Sequence, residues 1–211
     1  MQNAIKPEWI ALDFGANPPV AIAFSGGGVI DQTSLNTGGD INGCVAALAT
    51  EWDIVKGTCV IVSGSGPAQL GAKAWTVPCR PIAGTLAETG AGLVKIYTLP
   101  QIWQKEPPAV MSSDHIAIAG FLALNKDWDG VICVVDSHSQ WAQVSAGEIV
   151  SFQTFLSEHL AELIAPEVLG SPQKAPWDIE IFQTAVANHV SRPGRFAAGL
   201  AQIKAKAIFG V

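Results

Sequence analysis

Short runs of hydrophobic residues, separated by glycine and proline, recur along the first part of the chain. Residues 9–15, 20–24 and 29–35 form three such runs, and Gly26–Gly28 supplies a tight turn between the second and the third. Runs of this length and spacing are typical of β-strands joined by turns. The pattern therefore predicts that the chain begins with an antiparallel meander of three strands.

Helical and strand patterns then alternate. Asp40 is a good N-cap residue, and the periodicity after it predicts a helix to about Trp52 that packs one side of each turn inwards. The inward face of this helix is predicted to carry Val45, Leu48 and Trp52. The later patterns predict strands at residues 58–62 and 93–99, and a helix at residues 111–124 with Ile116, Gly120 and Leu124 in line.

A continuous apolar run at Val131–Val135 stands out because most of its residues are β-branched. This composition predicts a strand buried on both faces, as at the centre of a layered α/β sheet. The run ends at Asp136–Ser139, and ligands of open α/β sheets bind at the carboxyl ends of strands. Two further strand patterns around Gly147 predict a β-hairpin.

The pattern changes after Phe155, where three helices are predicted and no strand follows. The helical patterns cover residues 156–169, 178–190 and 195–209, separated by segments that contain glycine and proline. The sequence therefore predicts an α/β domain over residues 1–155, with a mixed sheet flanked by helices, and a helical segment over residues 156–211.

Composition excludes several classes of protein. Of the 211 residues, 49% are hydrophobic and 14% charged, which favours a well-filled core over disorder. The net charge is −6 and the basic residues are scattered, so we expect no nucleic acid partner. We also expect no signal peptide and no membrane segment, and hence a cytoplasmic location. Cys44, Cys59, Cys79 and Cys133 form no metal-binding pattern, which predicts small buried residues.

One group of residues around the predicted hairpin resembles the 2-dehydro-3-deoxygalactonokinases. That family has a Gly-Thr-His-Ser-Lys-Trp stretch after a buried strand, then a glycine turn and a Phe-x-Thr-Phe segment. The matching residues are His138, Ser139, Trp141, Gly147, Phe152, Thr154 and Phe155. The resemblance implies an actin-like, ribonuclease H-like ATPase fold and ATP-dependent phosphorylation of a 2-keto-3-deoxy sugar acid with Mg²⁺. It also implies that residues 156–211 are the helical stub of a truncated second domain.

The first strand departs from the family pattern where phosphates would bind. The family has Asp-Trp-Gly-Thr followed by Thr or Ser, and this chain keeps Asp13 and Gly15 but continues with Ala16–Pro19. The hydroxyl groups are absent, and two prolines remove backbone N–H donors. Asp13 can also be read as an ordinary turn or cap residue.

The other family motifs change in the same way. A Gly-rich segment keeps Ser63 and Gly64 but lacks the arginine of the family, and an Arg-Gly-Glu-Glu segment becomes Ser112–His115 with Asp114 as the nearest replacement. Ser137 and His138 keep the loop after the buried strand, whereas its lysine is replaced by glutamine. Each segment also has a simpler interpretation. Ser63 and Gly64 can belong to an ordinary Gly/Pro loop, residues 112–115 can be a helix N-cap, and His138 can be bonded to neighbouring backbone.

These departures lead to the functional hypothesis. Packing residues match the family while Arg, Lys, Thr and Glu positions do not, so we expect a degenerate, inactive kinase with a ligand-binding, regulatory or assembly role. The alternatives are an active sugar-acid kinase with an altered substrate or a partner that completes the site, and a purely structural relative. No catalytic residue is assigned. The expected ligand site lies at the carboxyl ends of the first, fourth and last sheet strands and is lined by Asp13, Gly15, Ser63, Gly64, Asp114, Ser137 and His138.

The helical segment carries an unusual number of large apolar residues. They are Phe182, Val186, Val190, Phe196, Leu200, Ile203, Ile208 and Phe209. Folding back on the first domain would cover them in a monomer, and pairing with a second copy about a twofold axis would cover them in a dimer. We expect a homodimer whose contact is formed largely by these helices.

Overall fold

The computed structural model describes residues 5–36, 40–64, 74–88, 92–169 and 176–209. The chain forms two compact units. The first comprises residues 1–135 and 139–154, and the second comprises residues 136–138 and 155–211. The two units are described separately.

A six-stranded mixed sheet forms the centre of the first unit, in the order β3-β2-β1-β4-β7-β6. Three strands make the predicted antiparallel meander: β1 (Trp9–Asp13), β2 (Val20–Ser25) and β3 (Gly28–Ser34). The others are β4 (Thr58–Ser63), parallel to β1, β7 (Val94–Thr98), parallel to β4, and β6 (Ala87–Glu88), antiparallel to β7. This order confirms the predicted α/β fold with a mixed sheet.

Helix α1 (Ile41–Glu51) packs against this sheet as its sequence predicts. Asp40 is the N-cap, and its carboxylate accepts a hydrogen bond of 2.9 Å from the backbone N–H of Gly43. Leu48 and Trp52 are buried against the alternating apolar residues of β1 and β4, and Val45 is half-buried. The core of the central sheet is therefore built from residues that the sequence pattern identifies.

A second core lies beyond the central sheet, between one helix and two small sheets. Helix α2 (Asp114–Leu124) accompanies a sheet of β5 (Trp75–Thr76), β8 (Ile102–Gln104) and β9 (Ala109–Met111), and a meander of β10 (Gly130–Val135), β11 (Ser139–Ser145) and β12 (Glu148–Phe155). The buried side chain of Gln104 joins the two sheets, because it accepts from the N–H of Phe152 at 2.8 Å and donates to its carbonyl at 3.0 Å. β11 and β12 confirm the predicted hairpin.

Strand β10 corrects the prediction made from Val131–Val135. It pairs only with β11 in the separate three-stranded sheet, and its residues alternate between half-buried and exposed. Val131 and Val135 face solvent, so the strand is not buried on both faces. A short apolar run does not distinguish a central strand from an edge strand, because both favour β-branched residues.

The residues predicted to lie in line along α2 are not the ones that the helix buries. The helix buries His115 and Ile118, whereas Leu124 is almost fully exposed and Gly120 is exposed. Between β4 and β7 the described residues 74–88 form two short strands and no helix. The small sheet β5-β8-β9 was not predicted, because strands of two or three residues leave almost no periodic signal.

The second unit consists of helices, as predicted. They are α3 (Ser157–Leu169), α4 (Ile179–Ser191) and α5 (Phe196–Phe209), with a 3-10 turn at Pro193–Arg195 before α5. Asp178 caps α4 by accepting from the N–H groups of Glu180 and Ile181. None of the residues of α4 is buried. Within the described part of the chain, no helix combines the length and apolar character needed to cross a membrane.

The cysteines follow their prediction only in part. Cys44 is buried and Cys59 and Cys79 are half-buried, and burial raises the pKa of both half-buried thiols. Cys133 is exposed, because it lies on an outward position of β10. The expectation that it is a buried residue is therefore wrong.

Candidate functional site

The side chain of Asp13 lies where two parallel strands end together. β1 and β4 are paired so that Asp13 stands opposite Ser63. One carboxylate oxygen of Asp13 accepts from the backbone N–H of Gly15 at 2.9 Å and from the hydroxyl of Ser63 at 3.0 Å. The carboxylate therefore fixes the turn after β1 and joins it to the end of β4.

Two glycines allow this turn to pack tightly. Gly64 has a φ of +96°, and a Cβ at this position would overlap the backbone of Phe14 and Gly15. A Cβ at Gly15 would lie 2.5 Å from the hydroxyl oxygen of Ser113. The backbone at Phe14 and Gly15, after β1, therefore packs directly against Gly64, after β4. Ser113, just before α2, lies next to Gly15.

Asp114 begins α2 directly after Ser113, so the same region contains a second carboxylate. Asp114 is buried, and Ser113 is the N-cap residue but makes no side-chain capping hydrogen bond. The prediction that this segment is a helix N-cap is correct for the position where α2 begins, but the Ser113 hydroxyl does not form the capping hydrogen bond. Of the seven expected site residues, the structure brings Asp13, Gly15, Ser63 and Gly64 together.

His115 is a residue whose importance the sequence did not indicate. It is fully buried, and neither ring nitrogen has a hydrogen-bond partner in the described part of the chain. Its ring meets Trp75 edge-on, with the ring centres 6.1 Å apart. Burial lowers the pKa of His115 from 6.5 to about 4, so the imidazole is neutral at pH 7.

Ser137 and His138 belong to the second unit. Their loop contacts the first turn of α3, where the backbone N–H of His159 donates to the carbonyl of Ser137 at 3.1 Å. The Ser137 hydroxyl lies 3.3 Å from Nδ1 of His138. These residues follow β10, which is not part of the sheet that contains β1 and β4. The expectation that these residues follow a strand of the central sheet is therefore wrong.

The lysines of the central sheet lie away from the Asp13 end. Lys6 precedes β1, Lys56 precedes β4, and Lys95 is in the first half of β7. Lys6 and Lys56 line a cavity of about 420 Å³ at the amino ends of these strands. These three described lysines therefore lie away from the strand ends at which Asp13 is found.

The residues present fit Mg²⁺–ATP poorly. Mg²⁺ is commonly held by one or two carboxylates together with substrate phosphates, but one carboxylate oxygen of Asp13 already holds the turn and Asp114 is buried. Among the described residues, no cluster of three or more His, Cys, Asp or Glu side chains is arranged for a metal ion. Phosphates need N–H donors or cations, but the turn after Gly15 contains Pro18 and Pro19.

Comparisons with known proteins agree on one family. The family model described as 2-keto-3-deoxy-galactonokinase matches residues 23–211. The crystal structure of a candidate 2-dehydro-3-deoxygalactonokinase from Sinorhizobium meliloti superimposes with a TM-score of 0.82 at 19% identity, covering 95% of this chain and 72% of that one. Similarity at this identity shows the fold, which is the actin-like α/β fold of sugar kinases. No curated protein matches the sequence.

Proposed function

The chain belongs to the 2-keto-3-deoxy-galactonokinase family, and from that premise we propose that it keeps the fold of a sugar-acid kinase without its phosphoryl-transfer chemistry. Its role is then to bind a ligand and to assemble with another protein chain. Membership of the family implies ATP, a divalent metal ion and a 2-keto-3-deoxy sugar acid as the ancestral ligands. The proposal concerns what this chain retains of that chemistry.

The state of Asp13 is the observation that carries the proposal. Phosphoryl transfer depends on positioning and on positive charge around the transferred group. Asp13 holds the turn after β1 through Gly15 and Ser63, and the nearby lysines of the sheet are at the other edge. A site of this kind supports local structure but offers little to neutralise a transferred phosphate.

Ligand binding remains compatible with this site. The carboxyl ends of β1 and β4 bring Asp13 and Ser63 together around a glycine turn, and Ser113 at the start of α2 lies next to Gly15. Polar groups at converging strand ends are the usual setting of ligands in α/β folds. In the second unit, Ser137 and His138 remain candidate contacts for an anionic ligand.

The assembly role concerns the second unit. Phe182, Val186 and Val190 recur every four residues along α4 and form one stripe, which we call the α4 stripe. All three side chains are substantially exposed. Burying each would contribute roughly 1.5–3 kcal/mol, so a second copy of the chain has a surface to bind. We propose that the protein forms a homodimer through this stripe.

The alternative is an active kinase with an altered substrate, or one whose site a partner completes. The observation that favours it is the position of Asp13, which remains at the end of the first strand with part of its side chain accessible. A carboxylate there is within the chemistry of a metal ligand or a general base.

Turnover measurements distinguish the inactive protein from the active kinase. The purified protein is incubated with ATP, Mg²⁺ and 2-dehydro-3-deoxy-D-galactonate, and ADP is measured with an active family member as positive control. We expect no ADP above the rate without sugar acid, because losing even one preorganised charge-stabilising donor costs about a hundred- to a thousandfold in rate. ADP formation that needs the sugar acid and disappears in Asp13→Asn would establish the active alternative.

A further inference from the structure

A groove between α4 and α5 has features of a ligand site. Its volume is about 950 Å³, close to the upper end of the range of about 300–1,000 Å³ for small-molecule pockets. The groove is lined by residues of both helices and of the turn between them, which include Thr184, Asn188, His189, Arg192, Arg195 and Gln202. We call it the α4–α5 groove. All of these residues belong to the second unit.

Positive charge is concentrated at the end of the groove where the chain turns from α4 to α5. Arg192 and Arg195 lie in that turn, whereas Lys206, in the last turn of α5, is about 15 Å along that helix from it. Glu180 is the one acidic residue of the lining, and it lies about 16 Å along the axis of α4 from the turn. Among the described residues, no carboxylate forms an ion pair with either arginine, so both guanidinium groups are available to a ligand.

The wall next to the arginines is shaped by a histidine and a glycine. Nδ1 of His189 donates to the carbonyl of Ala185 at 2.7 Å, which directs Nε2 towards α5. A Cβ at position 199 would lie 2.5 Å from that nitrogen, so Gly199 is the residue that admits the imidazole. Phe196 supports the other side of the ring, with the ring centres 5.5 Å apart. The imidazole is thereby held between α4 and α5 in the wall of the groove.

We propose that the α4–α5 groove binds a small hydroxylated anion. The guanidinium groups of Arg192 and Arg195 bind its phosphate or carboxylate group, because their planar forks match both anions. Thr184, Asn188 and Gln202 supply hydroxyl and amide groups farther along the groove for the hydroxyls of the ligand. The net charge of the chain is −6, so attraction of an anion depends on this local cluster.

The groove is separate from the other two surfaces to which the proposed function assigns a role. Phe182 lies about 160–200° around α4 from Glu180 and Thr184, because successive residues turn by about 100°. Most of the α4 residues that line the groove therefore face away from the α4 stripe, and the two surfaces meet at His189, which lies about 20° around the helix from Phe182. Asp13 and its neighbours belong to the first unit, so a failure of the kinase hypothesis in either direction leaves this proposal unaffected.

Calorimetric titration of the full chain tests the proposal with four probes: inorganic phosphate, glucose 6-phosphate, gluconate and glucose. We expect glucose 6-phosphate to bind more tightly than inorganic phosphate and glucose not to bind. Binding of gluconate at least as tight as that of glucose 6-phosphate would identify a carboxylate as the preferred anion. Absence of heat from all three anions at millimolar concentration would overturn the proposal.

Charge variants locate the site. Arg195→Ala and Arg192→Ala should each weaken glucose 6-phosphate binding about tenfold or more, because a charge-assisted hydrogen bond contributes about 1.5–3 kcal/mol. Lys204→Ala is the matched control, since Lys204 is an exposed cation of α5 outside the groove lining. Circular dichroism checks that each variant keeps its helices. An equal loss of affinity in Lys204→Ala and Arg195→Ala would show diffuse attraction instead of a site.

Discussion

Helices α1 and α4 are similar in length but differ in how they meet the rest of the protein. α1 has 11 residues and buries Ile41, Cys44 and Leu48 against the central sheet. α4 has 13 residues, and none of them is buried. Their sequences carry comparable numbers of apolar residues, so the difference lies in whether a sheet is available to cover one face.

The difference teaches where the two units obtain their stability. The first unit fills two cores with its own side chains, and its buried Gln104 is bonded to the backbone of Phe152, whereas the buried ring nitrogens of His115 have no partner in the described part of the chain. The second unit leaves the α4 stripe and the α4–α5 groove open. We infer that the first unit serves mainly as a stable framework and that binding surfaces are concentrated in the second.

The largest expected difference in the free energy of unfolding is between Phe152→Ala and Phe182→Ala. Phe152 is 2% exposed in the second core, whereas Phe182 on the α4 stripe is 48% exposed. Phe152→Ala should lower the free energy of unfolding by about 3–5 kcal/mol, because it leaves a cavity as well as losing burial. Phe182→Ala should cost less than about 1.5 kcal/mol at dilute protein concentration. Urea unfolding measures both, and equal losses would contradict the contrast.

The next largest effect concerns pH and His115. Its pKa is about 4 in the folded protein and 6.5 when unfolded, so the unfolded chain binds more protons between these values. Stability should therefore be unaffected by this group above about pH 7 and fall as pH drops towards 4, by up to about 3 kcal/mol.

His115→Leu should remove this part of the pH dependence, because leucine has no proton to bind. Ile118→Val, on the same face of α2, removes no titratable group and should keep the slope. Thermal unfolding between pH 4.5 and 7.5 measures the difference. An unchanged slope in His115→Leu would show that other groups cause the loss of stability in acid.

A smaller effect on the free energy of unfolding is expected from substitutions of Asp13. Its size shows whether the carboxylate stabilises the first unit. Asp13→Ala removes the acceptor for the Gly15 N–H and the Ser63 hydroxyl and should cost about 1–2 kcal/mol. Asp13→Asn keeps an acceptor oxygen and should cost less. Urea unfolding of the two variants compares them. A gain in stability in Asp13→Ala would show that the carboxylate is kept for function at the expense of stability.

Much of the first unit could be predicted because its signals are local. Short apolar runs bounded by glycine and proline predicted β1 and β2, and Asp40 marked the start of α1 by a capping interaction over three residues. The gathering of Asp13 with Ser63 also follows from parallel pairing of the two strands. These features depend on short-range periodicity or on one strand pair.

The failures share a different cause, because they depend on contacts between distant elements. β-Branched residues in β10 fit an edge strand as well as a central one, and only the pairing with β11 decides between them. The buried face of α2 is set by His115 and Ile118 meeting strands that have almost no sequence signal. The α4–α5 groove was not predicted, because its polar residues form no motif in the sequence and meet only when the two helices fold.

Light scattering of the full chain at micromolar concentration tests most directly whether the second unit is a surface for assembly. We expect the mass of a dimer, because Phe182, Val186 and Val190 of the α4 stripe are each at least 44% exposed, although Trp177 packs against Phe182. Phe182→Asp should give a monomer, while Thr184→Asp, at an exposed position about 160° around α4 from Phe182, should remain dimeric. A monomer mass for the unaltered chain, unchanged in Phe182→Asp, would contradict the account.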